Sequence, residues 1–119
     1  MSAEGRVSLP LKMHQGTHYQ VFGDTTKPTI VLVHGVGLDH TMWQSQVRSL
    51  TSNYQVLTYD LTGHGLSQHA TPATDLATLA QQLLQLMDHL QLPKVNLVGF
   101  SLGGLVAREG VARVSLPGG

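Results

Sequence analysis

Two hydrophobic periodicities alternate along the chain. "TIVLVHG" (Thr29–Gly35), "YQVLTYD" (Tyr54–Asp60) and "KVNLV" (Lys94–Val98) are short runs rich in β-branched and aliphatic residues. That is the pattern of strands covered on both faces in a parallel sheet. Between them, apolar positions recur at helical spacing. Met42, Trp43, Val47 and Leu50 follow Asp39 and Thr41, either of which can cap a short helix. Leu76, Leu79, Ala80, Leu83, Leu86, Met87 and Leu90 form a longer stripe with glutamines opposite, Thr74 placed to cap it and Pro93 to end it. A helix of this kind in an alternating chain buries its stripe on its own sheet, so the leucines read as core and not as a partner-binding face. "SLGGLVAREG" (Ser101–Gly110) opens a third helix. Upstream, Val7–Phe22 leans towards strand, is broken by Pro10 and Gly16, and reads as a hairpin or a ragged pair of strands ended by the turn "GDTTKP". The order strand, helix, strand, helix, strand, helix predicts an α/β fold with a doubly wound, mostly parallel sheet, in a single domain spanning residues 1–119.

Composition narrows the partners. Seven basic and seven acidic residues balance to zero formal charge, and no Lys/Arg cluster occurs, so nucleic acid and anionic lipid surfaces are not expected. The absence of cysteine excludes disulfides and thiolate metal sites. "MSAEGRVSLP" lacks the basic and apolar regions of a signal peptide, and no apolar run approaches the ~18 residues of a membrane span, so a soluble, cytoplasmic protein is expected. The seven histidines match no H-E-x-x-H motif or facial cluster with carboxylates and are expected to lie scattered on the surface, with no metal bound. "GVGLDH" and "GFSLGG" each miss a glycine of G-x-G-x-x-G, which argues against a dinucleotide site.

One short stretch carries chemistry. In "GFSLGG", Ser101 sits where a strand gives way to a helix, with Gly99 and Gly103 two residues to either side. A turn that sharp strains the central residue, and its neighbours two away must lack side chains. The hydroxyl is thereby pushed out above the sheet, and the Leu102 N–H lies at a helix N-terminus, where a developing oxyanion is favoured. "VLVHGVG" supplies a second signal, because Val36, just after the buried strand, is placed to offer another such N–H. His34, which closes that strand, reads as a residue that ties loops together by hydrogen bonding and not as a catalytic base.

Together "VLVHGVGLDHTMW", "YDLTGHGLS" and "LVGFSLGGLVA" resemble the α/β-hydrolase fold superfamily, more narrowly its single-domain esterase and lactonase branch, over about Val21–Arg108. The resemblance implies Ser101 as nucleophile, the Val36 and Leu102 amides as oxyanion hole, a small-molecule ester or lactone as substrate, and no cofactor. It also implies an acid and then a histidine after the serine. Here the chain departs from the pattern: beyond Ser101 it has no histidine and no aspartate, and Glu109 is its only acid. The expectation is therefore an N-terminal part of the fold, without the later strands, lid and remaining triad residues, and inactive by itself. The alternative is a non-catalytic, hydrolase-like binding module. In a partial fold, "KVNLV" would be left as an unpaired edge. Substrate identity and oligomeric state are not legible in the sequence.

Overall fold

The computed structural model describes residues 12–67 and 75–115. Five strands form one sheet in the order β1-β2-β4-β3-β5. β1 (Lys12–His14) and β2 (Thr17–Phe22) make the predicted hairpin, closed by Gln15 and Gly16 with φ of 50° and 84°, the geometry of a two-residue turn. The part of that expectation at residues 7–11 lies outside the described residues. β2 runs antiparallel to β4 (Gln55–Tyr59), whereas β4, β3 (Thr29–Val33) and β5 (Asn96–Gly99) are parallel.

Alternation along β3 and β4 sorts side chains to two faces. Ile30, Leu32 and Val56 meet Trp43 on one face. A 3-10 turn (His40–Trp43) and helix α1 (Gln44–Leu50) cover it, through Met42, Val47 and Leu50. Val31, Val33, Leu57 and Tyr59 turn to the other face and pack with Leu79, Leu83, Leu86 and Val106 of helices α2 (Leu76–His89) and α3 (Leu102–Ser115). Helices on both faces of a sheet with a parallel centre are the doubly wound arrangement, and the leucine stripe is core.

Local signals mostly act as read. Asp39 caps the 3-10 turn by accepting the Thr41 N–H at 2.9 Å. The cap of α2 is a correction: Asp75 accepts the Thr78 N–H at 2.8 Å, while Thr74 lies outside the described residues. Gln82, on the side of α2 read as polar, is buried; its amide donates to Thr17 Oγ1 and the Asp60 carbonyl and accepts from the Thr62 N–H. α3, which the sequence reading only opens at Ser101–Gly110, runs to Ser115, with a Glu109–Arg113 ion pair at 3.3 Å near its end. β5 is not buried on both faces. Among the described residues it pairs only with β3, and Val98 is 43% exposed, as expected of an edge. No described helix is long and apolar enough to cross a membrane.

Candidate active site

Because β3, β4 and β5 are parallel, they end at the same edge of the sheet, and each hands over there to a loop marked by a motif. Ligands in open α/β sheets gather at this edge. Phe100 and Ser101 follow β5. Ser101 has φ of 57°, the left-handed region that costs a non-glycine residue about 1–2 kcal/mol. Close approach of backbone to backbone enforces it. A Cβ at Gly99 would overlap the Gly103 carbonyl, and one at Gly103 would overlap the carbonyls of Val33 and His34. The first turn of α3 thus rests on the end of β3, which only glycine permits. Hydrogen bonds from Phe100 N–H to the Val33 carbonyl (3.0 Å) and from Gly103 N–H to the Phe100 carbonyl (2.9 Å) close the turn. Ser101 itself is exposed.

The loop after β3 lies against this turn. A Cβ at Gly35 would stand 3.0 Å from the Phe100 ring and 3.4 Å from the Ser101 Cβ. The Gly35 carbonyl accepts the Leu38 N–H at 3.1 Å, leaving Val36 at the tip and 66% exposed. Among the described residues, neither the Val36 nor the Leu102 N–H has a backbone acceptor. Leu102 opens α3, where first-turn amides have no intrahelical partner.

His34 is a tether, as its place at the strand end predicts. Its Nε2 accepts the Leu61 N–H at 2.9 Å, which fixes the tautomer, so Nδ1–H donates to the Gly35 carbonyl at 2.8 Å. Burial, only partly offset by that carbonyl, holds its pKa below the ordinary histidine range. Both ring nitrogens are engaged, so it has no lone pair free for Ser101.

The loop after β4 is organised by Asp60, a residue the sequence reading passed over. Its carboxylate is fully buried. Oδ1 accepts the His40 N–H (2.7 Å) and His40 Nδ1–H (2.8 Å); Oδ2 accepts the Leu66 N–H (3.0 Å) and His18 Nδ1–H (3.0 Å). Burial would raise the Asp60 pKa, but the hydrogen bonds from Leu66 and His40 outweigh it and hold the carboxyl below its ordinary value. Gly65, at φ 49°, passes so close that a Cβ would stand 2.6 Å from the Asp60 carboxyl carbon. Ser67 completes the loop, its Oγ accepting the His18 N–H at 2.9 Å.

The histidines are therefore not simply scattered on the surface, and this corrects the expectation. His18 and His34 are buried, His18 and His40 converge on Asp60, and His14 stacks on His89 with ring centroids 3.8 Å apart. The ligand atoms of His18, His40 and Asp60 lie within 4.8 Å of one another. A divalent ion would have to displace both ring protons and compete with two backbone donors on the same carboxylate, so the trio is a closed hydrogen-bond hub and not an open ligand set. The signal that could have found it is an aspartate directly after a buried strand, followed by G-x-G-x-S. After Ser101 the only carboxylate, Glu109, faces Arg113 two turns along α3.

Residues 28–114 match the alpha/beta hydrolase fold family. Over 88 residues the chain is 42% identical to 3-oxoadipate enol-lactonase 1 of Acinetobacter baylyi, covering 74% of this chain and 33% of that protein. The crystal structure of the enol-lactonase from Burkholderia xenovorans superimposes with a TM-score of 0.70 at 36% identity, over 82% of this chain and 39% of the other. A thermophilic esterase from Thermogutta terrifontis gives 0.75 at 32% identity, over 82% and 36%. The chain spans about a third of the length of the relatives it matches. With the match covering most of the sequence and the strand-end loops in place, the chain belongs to the alpha/beta hydrolase fold family.

Proposed function

We propose that this chain carries the nucleophile and the oxyanion hole of a serine hydrolase acting on carboxylic esters or lactones. The observation that carries the reading is Ser101, held exposed at a left-handed φ between two glycines and against the Gly35 loop. In the reaction, a histidine base takes the Ser101 proton as Oγ bonds to the acyl carbon. The carbonyl oxygen gains the displaced electron pair and is stabilised by the Val36 and Leu102 N–H groups. The carbon–oxygen bond of the leaving group then breaks and the base returns the proton to it; in a lactone this opens the ring and leaves the new hydroxyl on the acyl group. Water repeats the sequence on the acyl-enzyme and frees the acid and Ser101.

His34 does not fit the base, since both its ring nitrogens are committed to the loops, and His18 and His40 each commit Nδ1 to Asp60. In the family order the acid and then the base follow the serine, and beyond Ser101 this sequence has no histidine and no aspartate. We therefore assign both to the part of the family fold outside the third that this chain spans. By itself the 119-residue chain should hydrolyse p-nitrophenyl acetate no faster than its Ser101→Ala variant, since loss of triad function costs about 10⁶ in kcat. The test is a chimera in which residues 28–114 replace the aligned third of the A. baylyi enol-lactonase. The chimera should be labelled at Ser101 by a fluorophosphonate probe and turn over ester, and Ser101→Ala should abolish both. Turnover that survives the alanine would sink the assignment. A folded chimera without labelling or turnover would favour the non-catalytic module.

A further inference from the structure

Three segments distant in sequence meet on one buried carboxylate. β2 brings His18, the turn after the Gly35 loop brings the His40 backbone and ring, and the loop after β4 brings Leu66. Asp60 itself extends from β4, the strand beside β3, so it is anchored to the rigid centre of the sheet. Its bonds to His40 grip the far end of the loop whose near end is tied by His34 to Leu61. Between those two anchors lie only Gly35 to Asp39, with Val36 at the exposed tip. A loop with no buried apolar anchor of its own takes its position from its ends.

We infer that Asp60, with His18 and His40 donating to it, is a positioning residue that fixes the Gly35–Asp39 loop, and so sets the Val36 N–H relative to Ser101. This rests on the hydrolase reading only in naming what the loop is held for. The carboxylate never meets substrate; it acts through the loop. Both oxygens are needed, because Oδ1 accepts the His40 N–H and Oδ2 accepts from His18 and Leu66, while the His40 ring lies within reach of both, at 2.8 and 3.0 Å. The ring of His40 acts as an N–H donor at a fixed place, which an asparagine side-chain amide can imitate and a leucine of similar bulk cannot.

Hydrogen exchange read by mass spectrometry on the 119-residue chain tests this. The Leu38, His40, Thr41 and Met42 amides all have acceptors, so peptides over 36–42 report the loop and its anchor, while peptides over 55–59 report β4. His40→Leu should speed exchange in 36–42 by about tenfold and leave 55–59 within twofold, and His40→Asn should return the loop to within about threefold of the parent. Asp60→Asn should speed 36–42 at least as much as His40→Leu. Unchanged loop exchange in His40→Leu, or equal acceleration of 36–42 and 55–59 in both His40 variants, would overturn the inference. These outcomes are independent of Ser101 chemistry. In the active chimera, His40→Leu should lower kcat about tenfold with KM within threefold, because the oxyanion contact forms fully only in the transition state. A change confined to KM would count against positioning, whereas an inactive chimera would count against the hydrolase reading and leave the exchange result to decide this one.

Discussion

The turn at Ser101 and the loop at Asp60 close two parallel strands that flank β3, yet they are held by different physics. The Ser101 turn is a product of excluded volume: Gly99 and Gly103 let backbone touch backbone, and the bonds that close it run between main-chain groups. The Asp60 loop is a product of charge. One buried carboxylate collects two backbone N–H donors and two imidazoles from three segments. A steric device is indifferent to pH and intolerant of any added atom. An electrostatic one tolerates shape changes better but depends on the ionisation of its centre.

The sharpest way to break the comparison is Gly103→Val. Its Cβ would fall on the carbonyls of Val33 and His34, two backbone groups that cannot move without parting β3 from α3. A loss of about 4 kcal/mol or more in urea unfolding is expected, equal at pH 7 and pH 5. A loss under about 1 kcal/mol would mean that the turn relaxes and is not sterically locked.

Asp60→Asn should cost about 3 kcal/mol at pH 7, because the amide offers one acceptor oxygen where four donors converge. Its pH dependence carries the comparison. The folded Asp60 pKa lies below the unfolded one, so the unfolded chain binds the proton more readily. The stabilisation is full above the ordinary carboxylate value near 3.8 and is lost as pH falls through the depressed folded value. The gap between parent and Asp60→Asn should therefore shrink in strong acid. His34, whose pKa is also depressed, adds a separate loss that begins as pH falls below about 6.5 and persists in the Asp60→Asn variant. Urea midpoints from about pH 1.5 to pH 8 measure both. A gap constant across that range would show that the Asp60 ionisation does not hold the loop.

Ser101→Gly is the smallest effect and the most telling in sign. It removes a side chain from a left-handed φ and should raise stability by about 1 kcal/mol, though it deletes the hydroxyl. A destabilised glycine variant would mean that Ser101 is comfortable where it sits, and the strain assigned to the turn would be wrong.

The same contrast explains what could be read in advance. Gly99, Ser101 and Gly103 lie within five residues, so strand, turn and helix declare themselves in one window. Val36 follows by position after a buried strand. The Asp60 hub has no such window, since His18 and His40 stand 42 and 20 residues from the aspartate they serve. Their meeting depends on β2 lying beside β4 and on the turn after β3 folding back over the strand end. The buried Gln82 escaped for a related reason: its polarity put it on the outer side of the α2 stripe, but its partners are backbone and hydroxyl groups of distant loops.

By itself, then, the amino-acid sequence determined the α/β class, the order of elements, the core stripe of α2 and the steric turn at Ser101, and it narrowed the first cap to Asp39 or Thr41. Each is a property of neighbours along the chain, where period, propensity and excluded volume act within a few residues. Only the tertiary structure decided that Gln82 is buried, that His18 and His40 share a carboxylate, and that the Gly35 loop is clamped at both ends. A glutamine beside an apolar stripe cannot signal that a distant loop will cover it, and a histidine cannot signal which distant acceptor will receive its proton. Those outcomes are settled only when sheet order brings remote segments within hydrogen-bond reach.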